Sequence, residues 1–512
     1  MQLYVSVAVI AAVVLWGLIA PAGLGAAANE ALGVMTRNFG WLYLWVVLGL
    51  VLLAVVLAFS RYGDLKLGDE DEEPQFSMGA WFSMLFAAGM GIGLVFWGVA
   101  EPLSHYVTPP PGIAPATPEA ANAAMRYAFF HWGLHPWAIY GIVGLAMAFF
   151  QFRRGGSALV STATSELPWK PVQRAAPLFN ILAVVATAFG VAASLGMGAT
   201  QINSGLNAVF GLPIGPVSQI GIILVTTVLF VGSALSGVER GIKWLSSTNL
   251  AIAGLLALAV LLLGPTVAII DTFTSTLGGY LSDLIRMSLR MTPFRENSWV
   301  ADWTIFYWAW WISWSPFVGL FIARVSRGRT IREFLLGTVL APTLVGFAWF
   351  AVFGGAALNL EIFAGAPLAE AAKADVSTTI FAMFDALPFG LLLSIVTTVV
   401  VVIFFVTSGD SATLVLGMMS TGGNPNPAWK VKLVWGVLIA AIALSLMLAG
   451  GLQAIQTATI IFALPFAVVV VLMAIAVTRA IAHDWREEQR RDRELRRRMR
   501  ELAARGVDNP AP

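Results

Sequence analysis

Three observations on the 512-residue chain predict an all-α polytopic membrane fold. Hydrophobic residues make up 58% of the sequence and charged residues only 11%, too little charge to cover a soluble surface of this size. Apolar runs of about 20 residues, the length that crosses a bilayer, recur from one end to the other. Basic residues collect in alternate loops between those runs. The mean hydropathy of +0.81 agrees, whereas the net charge of +2 says little, because placement matters more than the sum. The chain has no cysteine, which excludes disulfides, thiolate nucleophiles and thiolate-bound metals.

Twelve transmembrane helices are predicted, near 3–24, 41–60, 78–100, 127–151, 176–209, 216–236, 246–272, 302–324, 332–357, 389–419, 428–449 and 453–480. The first run ends in a small-residue stretch, AGLGAAA, but is expected to be a retained helix, because the loop charges need it for parity. The fifth and tenth are long enough to be tilted or broken. One set of loops carries Arg61 and Lys66, then Arg153, Arg154, Lys170 and Arg174, then Arg240 and Lys243, then Arg324, Arg327, Arg329 and Arg332, then Lys430 and Lys432. The positive-inside rule places that set and both termini in the cytoplasm, and the cell inner (plasma) membrane is the expected location. The segment 277–301 breaks the trend with Arg286, Arg290 and Arg295. Its apolar residues recur at helical spacing, so an amphipathic helix at the outer surface is expected there. The charged stretch HDWREEQRRDRELRRRMRELAAR is expected to be a helix, its arginines suited either to anionic lipid headgroups or to water. Beyond Gly506 a frayed end is expected.

Four spans carry chemistry. The third reads AAGMGIGLVFWGVAEP, with Gly89, Gly91 and Gly93 at alternate positions. Each glycine costs a helix about 1 kcal/mol relative to alanine, so a break at mid-membrane depth is expected. Freed backbone groups are tolerated there only where they line a cavity or bind something. The eighth span opens WTIFYWAWWISWSPF, five tryptophans in fifteen residues. From Trp303 to Trp314 a helix rises about 16 Å, deeper than an interfacial belt. Some rings must therefore face the bundle, and ligand binding and packing both fit them.

The fourth span contributes HWGLHPWAIY, in which Trp132 and Trp137 flank His135-Pro136 and Tyr140 shares a face with Trp137. His131 and His135 are four apart, the spacing of a metal or proton site, with no carboxylate apparent near them in the sequence. The tenth holds IFFVTSGDSAT. The hydroxyls of Thr407 and Ser408 suit a hard cation such as sodium, or a bond to the carbonyl one turn back. Asp410 is an intramembrane carboxylate. The third span enters from one side and the eighth from the other, and each opens a run of five. That is the pattern of an inverted repeat, in which broken helices meet near the midplane.

The segments GMGIGLVFWGVAEPLSHY, HWGLHPWAIYGIVGLAMA, WTIFYWAWWISWSPFVGLFIARVSRGRTIREF and FFVTSGDSA resemble the betaine/choline/carnitine transporter family, in order and spacing over about residues 40–480. The likeness is nearest to its sodium-coupled glycine betaine members. It implies a LeuT-type 5+5 inverted repeat preceded by two peripheral helices, in a homotrimer. On that plan residues 1–75 form the peripheral helices and acidic loop, 76–275 the first repeat, 276–301 the amphipathic helix, 302–480 the second repeat and 481–512 the charged tail.

The resemblance assigns an aromatic box for a trimethylammonium group to Trp132, Trp137, Tyr140 and Trp311, with Trp310 close by and Trp314 lining the exit. Rings can replace water around a methylated cation without hydrogen bonds. The substrate carboxylate is expected at the broken helix near Gly89, Met90 and Gly91. A co-transported sodium is implied between the carbonyls of Ala87, Met90 and Phe404 and the hydroxyls of Thr407 and Ser408. A second sodium site of the family falls on Thr187 and Val191, and valine, which lacks a hydroxyl, departs from the pattern. Gly93 stands where choline-type members often carry an aspartate, which favours a zwitterion here. Glycine betaine is the expected cargo, ahead of carnitine, choline, ectoine, proline betaine and dimethylsulfoniopropionate. Neither an enzyme nor a nucleic-acid partner is expected; a sodium-independent exchanger, a proton-coupled carrier and a channel are the alternatives.

Overall fold

The computed structural model describes residues 2–89, 91–236, 239–295 and 297–507. Among them the secondary structure is helical, with one isolated β-bridge between Lys66 and Thr330. In chain order the helices are α1 (Gln2–Ile19), α2 (Pro21–Phe59), α3 (Met78–Gly89), α4 (Ile92–Val107), α5 (Pro118–Trp132), α6 (Leu134–Ala148) and α7 (Val160–Ser165). They continue with α8 (Lys170–Phe210), α9 (Pro216–Ser236), α10 (Glu239–Leu263), α11 (Thr266–Ser288) and α12 (Phe306–Val325). The last are α13 (Ile331–Phe363), α14 (Leu368–Ala374), α15 (Thr379–Asp385), α16 (Gly390–Ser420) and α17 (Trp429–Val507).

Ten helices among the described residues are long and apolar enough to cross a membrane. A count of twelve requires the short pair α3 and α4 to be taken as one span and α17 to be divided. That division falls at Gly451, whose φ of 62° and ψ of −140° lie where a side chain is strained. The window of α9 is 33% buried and that of α10 22%, against 94% for α5–α6 and 89% for the α12 segment. The first two therefore face outward with apolar residues such as Val225, Val228, Leu255 and Leu262, and the last two make the centre. There α12 packs on α6, while α8 packs on α16 and α17.

Several boundaries differ from the sequence expectations. Residues 25–40, expected to be a loop, belong to α2, because Pro21 at its first turn and an alanine-rich stretch start the helix early. The expected amphipathic helix at 277–301 instead begins at Thr266 and stops at Ser288, where Leu289 closes the last turn onto the Ile285 carbonyl at 3.2 Å. The long α8 and α16 are unbroken.

Local signals explain the ends that position the site. Thr117 caps α5 by accepting from the Ala120 amide at 3.1 Å, with Pro118 next. Thr330 and Glu333 form a reciprocal capping box at the start of α13. At that end of the bundle the segment 65–67 pairs with 328–331: Leu67 donates to the Arg329 carbonyl at 2.8 Å, and Ile331 to that of Leu65 at 2.8 Å. Arg329, only 3% exposed, lies over the Trp81 ring at 4.1 Å and donates to the Phe76 carbonyl at 2.8 Å. These contacts tie the approach to α3 to the turn after α12.

Candidate substrate-binding site

The third span is interrupted. Helix α3 ends at Gly89 and α4 starts at Ile92, with Gly91 between them in an extended conformation. Met90 lies outside the described residues. Ala87 falls in the last turn of α3, where carbonyls lack an intrahelical partner. A Cβ built on Gly91 would sit 4.0 Å from the Ser408 hydroxyl, so the break faces α16.

The fourth span is interrupted as well, at Gly133, between Trp132 and Leu134. Pro136 then falls in the first turn of α6, where a missing amide costs little. The freed Leu134 amide donates to the Tyr280 hydroxyl of α11 at 3.3 Å. Five residues along an unbroken helix would turn Trp132 and Trp137 well apart. The break lets both face one space.

Trp132, Trp137, Tyr140 and Trp311 do line one cavity, completed by Leu94, Pro136 and Gly346. Trp132 meets Trp311 edge-on at 4.9 Å, Tyr140 meets Trp311 at 6.1 Å, and Trp137 meets Tyr140 at 5.6 Å. The cavity measures about 10 Å³, roughly the room one water needs. A larger guest requires these rings to move. Trp311 is oriented by its indole N–H, which donates to the His131 carbonyl at 2.9 Å.

Trp310 stacks on Trp311 at 4.8 Å and leaves its own buried indole N–H without a partner. A Cβ on Gly93 would collide with the Trp310 ring and approach that of Trp132 to 3.2 Å. Trp314, half-buried, lies a turn away and donates to the Gly190 carbonyl of α8 at 2.9 Å. Trp303 and Trp308 pack elsewhere, Trp303 edge-on to Trp97 and Trp308 stacked on His135.

The candidate cation residues are only partly assembled. The Thr407 hydroxyl donates to the Ile403 carbonyl at 2.9 Å, with the Phe404 carbonyl at 3.4 Å. Ser408 faces Gly91 across the gap. Thr187 is buried with a partnerless hydroxyl, and the Asp410 Oδ2 is likewise unpaired.

One reading is corrected, that no carboxylate lies near the two histidines. His131 and His135 do not form a site together: His135 bonds Ser288 at 2.8 Å. A carboxylate does lie beside His131. Glu101, fully buried on α4, is 2.7 Å from His131 Nδ1 and 3.2 Å from His105 Nε2. It also accepts from the Trp132 indole at 2.8 Å and from the Tyr307 hydroxyl. The ligand atoms of Glu101, His105 and His131 lie within 4.8 Å of one another, but the separations are those of hydrogen bonds. Sequence reading missed Glu101 because the third span was expected to end near residue 100, one residue short of it. In fact α4 continues through Pro102 to Val107. The signal was there, since an ionisable residue within a span is a functional candidate.

Comparison with known proteins agrees with this architecture. Residues 2–486 match the BCCT, betaine/carnitine/choline family transporter. The chain is 47% identical over 490 residues to the glycine betaine transporter OpuD of Bacillus subtilis, covering 94% of each. It is 45% identical over 480 residues to an ectoine/hydroxyectoine transporter of Virgibacillus pantothenticus, covering 94% of this chain and 96% of that one. It is 37% identical over 493 residues to the betaine/ectoine transporter LcoP of Corynebacterium glutamicum, covering 94% of this chain and 77% of that one. With two interrupted spans enclosing an aromatic cavity and a match that runs nearly its whole length, this multi-pass membrane protein belongs to the betaine/carnitine/choline family of transporters.

Proposed function

We propose that the chain is a secondary active transporter that takes up glycine betaine with sodium by alternating access. The observation that carries this reading is the cavity shared by Trp132, Trp137, Tyr140 and Trp311. A trimethylammonium group has no proton to donate, and stacked indole faces are the side chains best suited to hold it. The zwitterion's carboxylate then meets the break between α3 and α4, where backbone amides at the start of α4 lack intrahelical partners. Gly93 leaves no carboxylate there to compete with it.

Sodium supports closure in this reading. An ion held between the end of α3 and the hydroxyls of Thr407 and Ser408 bridges a broken helix and an unbroken one. The Thr407 hydroxyl would have to turn from its bond to Ile403. Val191 favours a single sodium. Both termini are cytoplasmic, the protein forms a homotrimer in the cell inner membrane, and the arginine-rich tail lies against anionic lipid. Ectoine is the second cargo, on the strength of the Virgibacillus and Corynebacterium relatives.

Uptake of labelled glycine betaine into proteoliposomes tests the proposal. Accumulation driven by an inward sodium gradient and abolished by potassium replacement is expected. Exchange of internal for external betaine without sodium would contradict it.

A further inference from the structure

Glu101 does more than fill a polar gap. Its four contacts come from three helices: His105 on its own α4, His131 and Trp132 on α5, and Tyr307 on α12. A carboxylate has four lone-pair directions, and here each is used. Its ion-pair partners among the described residues are the two histidines alone, with no lysine or arginine. The indole that donates to it belongs to the cavity wall, and the ring of Trp132 lies 4.9 Å from that of Trp311. The neighbouring residue His131 supplies the carbonyl that orients Trp311. One buried group thus sets two rings of the box, one directly and one through the backbone.

We propose that Glu101 is a specificity-determining residue that makes the aromatic box prefer a quaternary ammonium over an uncharged group of the same shape. The inference rests on reading the box as the site of that cation. Two effects act together. An anion accepting from the indole N–H polarises the ring and enriches the face presented to the cation. Its own field acts across a water-poor interior, where charge is poorly screened.

The test compares two ligands that differ in one atom. In 3,3-dimethylbutanoate a carbon replaces the charged nitrogen of glycine betaine. Each competes with labelled betaine for purified protein, in the wild type, Glu101→Gln and Trp311→Leu. The wild type is expected to prefer betaine, and Glu101→Gln to cut that preference about tenfold, a loss of the size expected for a charge acting at this range. An unchanged ratio, or equal weakening of both ligands, would assign Glu101 a packing role and overturn the inference. Glu101→Asp keeps the charge and is expected to restore much of the ratio. Should Glu101→Gln fail to fold, a preference wholly lost in Glu101→Asp would overturn the inference. If the wild type itself shows no preference and Trp311→Leu binds normally, the box reading has failed instead.

Discussion

Gly93 shows how narrow the tolerance is at single residues. Its missing side chain leaves the space that the Trp310 ring occupies. Gly93→Ala forces that ring aside at a cost of about 1–3 kcal/mol. Betaine affinity should fall roughly ten- to a hundredfold while the protein still inserts, read by binding to purified protein. The sequence made these residues legible because tryptophan density and glycine alternation are both visible in one dimension. Glu101 was not legible in the same way. Its partner His131 is thirty positions away in sequence, and Glu101 itself lies just past the expected end of the third span at residue 100. The direct contact between Gly93 and Trp310 also depends on how two spans cross, which no local pattern reports.

At the scale of elements, the site exists because two spans are interrupted beside unbroken ones. The α3–α4 break faces α16, so Thr407→Ala should raise the sodium concentration for half-maximal uptake while leaving betaine binding in saturating sodium within about threefold, since only one ion contact of roughly 1 kcal/mol is lost. Uptake measured across a sodium series checks this. The α5–α6 break is held from outside by α11. Tyr280→Phe removes the partner of the Leu134 amide and should destabilise the protein by about 1 kcal/mol, seen as a lower unfolding midpoint in detergent. The glycine run announced the first break. The second was not legible, because Pro136 fits the first turn of α6 while the chain turns at a lone Gly133. The amphipathic character of α11 was readable, but its start was not. Apolar residues from 266 to 272 look the same whether a helix crosses a bilayer or lies across it.

Over the whole molecule, composition and the recurring apolar runs predicted a helical membrane protein, and loop charge predicted its orientation. The absence of native cysteine makes that orientation easy to check. Asn297→Cys should react with a membrane-impermeant maleimide in intact cells, and Asn424→Cys only after permeabilisation; both side chains are exposed. The division of α17 was legible as two separate apolar runs, and α3 with α4 as one run broken by glycines, yet the α17 kink depends on glycine dihedrals that only the fold fixes. What unites these scales is the aromatic cavity, which in this structure has about 10 Å³ of space and must widen around its guest. The most direct measurement is calorimetric titration of glycine betaine into the purified protein, in sodium and in potassium, with Trp311→Leu alongside. The account predicts saturable binding in sodium, weaker binding in potassium, and at least about a tenfold loss of affinity in Trp311→Leu. Equal affinity for betaine in the wild type and Trp311→Leu would contradict it.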